Sequence, residues 1–136
     1  MNSRVKLLIS ASFCIFAGVA WALASNPWLG KTMSAESVKK RWGSEPFDEA
    51  KFKNGDEAAR AGMAYSLMTS GKMKGRTVSE IRDKLGDFSG HYFSEMYPTY
   101  MIFEAKSAKE ESWQIVFLID KDRRIKDVIV HKNCCD

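Results

Sequence analysis

The chain has 136 residues, of which 21 are basic and 17 are acidic. Two of the basic residues, Arg4 and Lys6, belong to the N-terminal segment described in the next paragraph. Without them the basic count falls from 21 to 19, so the rest of the chain is nearly neutral and nucleic acid is not an expected partner. The hydrophobic share of 45% and the aromatic share of 12% predict a folded domain, not a disordered segment. The length suits one compact domain and is too short for two.

Residues 1–24 have the three-part layout of a secretory signal peptide. Arg4 and Lys6 form a positive head, residues 7–23 are uncharged and mostly apolar, and small residues precede a cleavage point after Ala24. The apolar run is also long enough for an uncleaved anchor in the inner membrane. Both outcomes place the remaining residues outside the cytoplasm. We therefore predict a periplasmic protein that contacts the membrane only if this segment is retained.

Between the leader and the main domain, residues 25–46 are predicted to be a linker. Within it, Ala35–Trp42 favours a short helix that ends at Gly43. The domain proper is expected to cover residues 47–136. Its first part, residues 47–55, is polar with two aromatic residues, and we expect it to be irregular.

The first long helix is predicted from Asp56, a good N-cap, to Gly71, which favours a C-terminal stop. Its apolar residues recur at helical spacing and form one stripe: Ala59, Met63, Ala64, Leu67 and Met68. A stripe that contains methionine can line a ligand groove, but core packing is the commoner reason for it.

The second helix follows a capping box. Thr77 and Glu80 stand at the spacing that lets each side chain accept a hydrogen bond from the other residue's amide. Ile81 and Leu85 then give an apolar face, and Gly86 is expected to end the helix.

Three strands are predicted in the second half, at residues 100–105, 113–120 and 125–132, where β-branched and aromatic residues are frequent. The middle strand is apolar on both faces and should be central, with helices over one face and a partial cover over the other. The fold class is therefore α+β: two main helices packed on a three-stranded antiparallel meander.

The order of these elements resembles the SmpA/OmlA family, the BamE-like domains of bacterial outer-membrane assembly. The residues that carry the resemblance are Gly75-Arg76-Thr77, Glu80-Ile81, Leu85-Gly86 and the apolar hairpin with its acidic turn at Asp122. The resemblance extends over residues 75–130. It implies a two-layer α+β fold and an association with the cell envelope.

The C-terminal tail contains Cys134 and Cys135, the two thiols that remain once the leader is removed. In an oxidising compartment they can close a strained disulfide with each other or link two chains. Together with His131 they also offer soft ligands for copper(I) or zinc. A terminus supplies mobile ligands, so we predict a disulfide or an unremarkable tail and no metal site.

An aromatic-rich segment follows the second helix and provides the candidate binding residues: His91, Tyr92, Phe93, Tyr97 and Tyr100. Rigid aromatic side chains give a large contact area at little entropic cost, which is typical of binding surfaces. The alternative is that these rings close the end of the hydrophobic core. The sequence leaves both interpretations open.

No pattern typical of a catalytic or cofactor site stands out in the sequence. We therefore expect no enzymatic activity and no cofactor. The favoured hypothesis is a periplasmic domain that binds another envelope or exported protein through the aromatic segment and a sheet edge. The alternative hypothesis is an inhibitor or immunity protein that neutralises an exported toxin.

Overall fold

The computed structural model describes residues 32–133. The helices and strands of this part follow one another in the order β1 (Thr32–Met33), α1 (Ala35–Trp42), α2 (Glu49–Asn54), α3 (Glu57–Ser70), α4 (Val78–Leu85), β2 (Thr99–Phe103), β3 (Trp113–Ile119) and β4 (Ile125–Lys132). The α+β class is confirmed. The leader predicted at residues 1–24, and Cys134 and Cys135, lie outside the described residues.

The sheet is antiparallel, with the strand order β1-β4-β3-β2. The three predicted strands are present and β3 lies inside the sheet, as its two apolar faces indicated. The predicted number of three strands was wrong, because the sheet has a fourth strand, β1. In this strand Thr32 pairs with His131 and Met33 pairs with Val130 of β4. A two-residue strand has no periodicity that a sequence can reveal, and its pairing depends on a residue at the opposite end of the domain.

The segment expected to be a linker thus contributes both a strand and a helix. The predicted helix Ala35–Trp42 is confirmed, and Ser34 caps it by accepting a hydrogen bond from Ser37 N. Val38 on this helix is fully buried in the core that α3 shares. The described fold therefore begins before residue 47.

Residues 47–55 are not irregular, because they contain α2. Asp48 caps this helix with Oδ1, which accepts a hydrogen bond from Lys51 N at 2.7 Å. Glu49 ties α2 to the α4 region by ion pairs with Arg76 at 3.0 Å and Lys84 at 3.3 Å. Burial acts to raise the pKa of Glu49, but the hydrogen bonds from Lys84 and Arg76 outweigh it and hold the pKa below its usual value.

The two main helices have the predicted caps. Asp56 Oδ1 accepts from Ala59 N at 2.8 Å, and α3 ends at Gly71 with a left-handed φ of 67°. The capping box of α4 is confirmed, since Thr77 N donates to Glu80 Oε2 at 2.7 Å and Glu80 N donates to Thr77 Oγ1 at 3.2 Å. The hydrogen bond from the Thr77 backbone lowers the pKa of Glu80.

The apolar residues of these helices form the core. Met63, Ala64 and Leu67 of the predicted stripe are buried, whereas Ala59 and Met68 are half-buried. The apolar stripe of α3 therefore packs in the core, which was the commoner of the two interpretations of its sequence. None of the helices in residues 32–133 combines the length and the apolar character that crossing a bilayer requires.

The two faces of the sheet have different covers. Side chains alternate along a strand, so Ile115 and Phe117 of β3 face the helices, and Gln114 and Val116 face the other way. On the helical side, Tyr100 packs edge-to-face on Phe52 of α2, with ring centroids 5.2 Å apart. On the opposite side, the connection between α4 and β2 folds over Gln114. This connection positions the candidate site.

Candidate functional site

The candidate site is built on residues 87–98, which we call the aromatic loop. Its central anchor is Gln114, a fully buried amide near the start of the interior strand β3. Gln114 Nε2 donates to His91 O at 2.6 Å, and His91 N donates to Gln114 Oε1 at 3.1 Å. The side-chain oxygen and nitrogen of Gln114 therefore pair with the backbone N–H and C=O of one loop residue, as a neighbouring strand would.

A second anchor lies along the outer edge of β2. The N–H groups of Ser89 and Gly90 both donate to Thr99 O at 3.1 Å, and Ser89 Oγ accepts from Met101 N at 3.0 Å. The protein's own loop thus occupies the first part of this sheet edge, a common way to protect an edge strand from pairing with another chain. The edge is less open to a partner than the sequence suggested.

The rings of the loop pack on one another around Tyr92. The Tyr92 ring lies edge-to-face with Phe93 at 4.6 Å, with Tyr97 at 5.4 Å and with His131 of β4 at 5.0 Å between centroids. Burial raises the pKa of the Tyr92 hydroxyl. His131 is itself buried and faces the same side of the sheet as its cross-strand partner Gln114. The inner rings therefore fix the loop against the sheet.

The predicted binding residues divide into two groups. Tyr100 belongs to the core: it is fully buried, and its hydroxyl donates to Gly86 O at 2.8 Å. Including Tyr100 in an exposed surface was wrong, because its strand position points it at the helices. Burial also raises the pKa of Tyr100. His91 is exposed, whereas Tyr92 and Tyr97 are half-buried.

The outer surface of the loop is formed by Phe93 and Met96, which are 57% and 46% exposed. They are the large apolar side chains that stand exposed within residues 32–133. The backbone of Phe93 has a φ of 51°, a conformation uncommon for a bulky residue. Strain of this kind is found mainly where the surrounding structure imposes it, often at functional sites.

Sequence reasoning missed Met96 and Gln114. Met96 lies between two predicted site residues, so its position was the available signal. Gln114 was visible as a polar residue inside a strand predicted to be central, where an unpaired amide is costly. That cost implies a partner, but the identity of the partner required the fold.

A cavity of about 370 Å³ opens between the end of α4 and the aromatic loop. Its lining residues include two aromatic residues, Phe88 and Tyr97, and two acidic residues, Asp87 and Glu95. Arg82 of α4 completes this wall, with its guanidinium carbon 4.5 Å from the centroid of the Phe88 ring. The site therefore combines an exposed apolar pair with a small polar and aromatic cavity.

Across residues 32–133, no cluster of three or more His, Cys, Asp or Glu side chains is arranged to hold a metal ion. The suggested ligand His131 is instead packed against Tyr92. The proposed pairing of Cys134 with Cys135 lies outside the described residues.

A substitution at Gly90 tests how closely the loop packs on the sheet. A Cβ atom on Gly90 would lie 2.5 Å from Gln114 Oε1 and 2.7 Å from Thr99 Cγ2. We expect Gly90→Ala to lower the free energy of unfolding by about 1–3 kcal/mol, because the anchored loop must shift. Chemical denaturation measures this loss. The control Gly62→Ala, whose Cβ meets the end of the Glu45 side chain at 3.2 Å, should cost less. Equal stability of Gly90→Ala and the unmodified protein would contradict the anchoring described above.

Comparison with known proteins found no matching family model, no matching curated protein and no matching solved structure. The resemblance to the SmpA/OmlA family remains a prediction from the sequence.

Proposed function

We propose that this protein is an exported, non-enzymatic binding domain that recognises another envelope or exported protein through its aromatic loop. The observation that carries the proposal is the placement of Phe93 and Met96. Both exposed apolar side chains stand on one loop, and that loop is fastened to the sheet through Gln114 and Thr99.

The energetics of association favour such an arrangement. Apolar surface transferred from water contributes roughly 25 cal/mol per Å². A loop that is already ordered loses little conformational entropy on binding, so more of this contribution remains as affinity. Aromatic residues and methionine are also enriched in the cores of protein interfaces.

The location in the envelope rests on the sequence. The signal-like residues 1–24 support export, and the SmpA/OmlA resemblance over residues 75–130 supports a BamE-like arrangement and an envelope partner. The inhibitor or immunity role against an exported toxin fits the same surface. The identity of the bound protein distinguishes the two: an assembly component supports the first role and a toxin supports the second.

The test is a pair of substitutions on the exposed part of the loop. We expect Phe93→Ser combined with Met96→Ser to reduce partner capture from envelope extracts at least tenfold, because the interface loses its apolar centre. Quantitative mass spectrometry of the captured proteins measures the effect. Tyr92 and Tyr97 are less suitable targets, since their packing in the loop couples binding to stability.

A matched control is available in the loop between β2 and β3. Lys109→Ser combined with Glu110→Ser changes two exposed side chains outside the site and should leave capture unchanged. The control should unfold within about 1 kcal/mol of the unmodified protein, and the Phe93 and Met96 variant, which loses the contact of the Phe93 ring with Tyr92, within about 2 kcal/mol. If the Phe93 and Met96 variant captures the same proteins in the same amounts, the proposal is wrong.

A further inference from the structure

The cavity beside the aromatic loop has a net negative lining. Asp87 and Glu95 contribute two carboxylates, against the one guanidinium of Arg82. Within residues 32–133 neither carboxylate forms an ion pair with a basic side chain. Arg82 already lies over the Phe88 ring at 4.5 Å. The cavity therefore has carboxylate charge that the protein does not neutralise by a direct ion pair.

The aromatic lining favours the same kind of ligand. Phe88 and Tyr97 line the cavity, and aromatic rings attract ammonium and guanidinium groups. A volume of about 370 Å³ is at the small end of the range for ligand sites, which suits one long side chain. Carboxylates and rings together are therefore complementary to a basic side chain.

The cavity and the exposed apolar pair share the same loop. Glu95 precedes Met96 directly and follows Phe93 by two residues, so a single short segment of a partner can contact all three. We infer that the cavity receives an arginine or lysine side chain from the partner segment that packs on Phe93 and Met96. This inference rests on the proposed function and adds the chemistry of the partner to it.

A direct test uses a small probe in place of the partner. N-acetylarginine amide, titrated into the purified protein, should shift the NMR amide signals of Gly90, His91 and Ser94, which border the cavity. N-acetylcitrulline amide has nearly the same shape without the charge. It should bind about tenfold more weakly, because charge-assisted hydrogen bonds are roughly twice as strong as neutral ones. Equal binding of the two probes would overturn the inference.

Substitutions locate the site. Asp87→Asn combined with Glu95→Gln removes both charges from exposed residues and should weaken binding of the arginine probe about tenfold. The control Glu110→Gln removes a carboxylate from another loop and should leave binding unchanged. Retained binding by the Asp87 and Glu95 variant would contradict the inference, since the probe would then be held elsewhere.

Capture experiments separate this inference from the proposed function. If the Asp87 and Glu95 variant captures the partner normally while the Phe93 and Met96 variant does not, the loop is the interface. The inference that the cavity receives a basic side chain is then wrong. If the Phe93 and Met96 variant captures normally, the proposed function fails, and the inference about its partner fails with it. Loss of capture in both variants supports both.

Discussion

Replacing Gln114 with leucine is expected to cost about 2–4 kcal/mol of unfolding free energy and to release the aromatic loop. Leucine fills a similar volume but offers no hydrogen bond, so His91 N and His91 O both lose the partner they have in the sheet. Each unsatisfied buried polar group costs about 1–3 kcal/mol. The loop can reduce this cost only by lifting away to reach water.

Two measurements distinguish loop release from general destabilisation. Chemical denaturation gives the loss of stability, and hydrogen exchange at His91 N–H should accelerate at least about tenfold under native conditions. Leu118→Ala is the control, because Leu118 lies on the same strand and the same face as Gln114 and is half-buried. It should lower stability without changing exchange at His91. Unchanged exchange in Gln114→Leu would show that the amide does not hold the loop.

The largest loss of stability is expected for Phe52→Ala, at about 3–5 kcal/mol. Phe52 is fully buried, and its ring packs against Tyr100 at 5.2 Å and Phe47 at 6.0 Å. Removing the ring leaves a cavity where α2 meets the sheet. The loss also reaches the candidate site, because the hydroxyl of Tyr100 holds Gly86 at the start of the connection that becomes the aromatic loop.

The neighbouring ring of Phe47 provides the comparison. Phe47 is half-buried, so Phe47→Ala removes less apolar surface from the core and should cost about half as much or less. Thermal or chemical unfolding of both variants tests the order. If Phe47→Ala were the more damaging of the two, α2 would not be the part of the core that the structure shows.

The elements that sequence predicted well carry their signals within a few residues. The capping box of Thr77 and Glu80 fixes the start of α4, and Asp56 and Gly71 bracket α3. The strand β3 was predicted as central because its apolar residues occupy both faces. In each case one short stretch of chain contains the cause of the structure.

The features that sequence did not predict depend on contacts between distant residues. Pairing of Thr32 with His131 makes β1 a strand, and burial of Phe52 against Tyr100 makes α2 part of the core. The aromatic segment was recognised as a cluster, but only the strand direction of Tyr100 and the anchoring by Gln114 decide which rings are buried. The exposure of Phe93 and Met96 follows from this packing of the other rings.

Photo-cross-linking in living cells, from the exposed surface of the loop, tests whether the aromatic loop binds another protein. The protein carries p-benzoylphenylalanine in place of Phe93, and the same replacement at Lys109 gives the control. We expect position 93 to give one discrete adduct with an exported or envelope protein and position 109 to give none. Absence of an adduct at position 93, or the same adducts from both positions, would contradict binding through the aromatic loop.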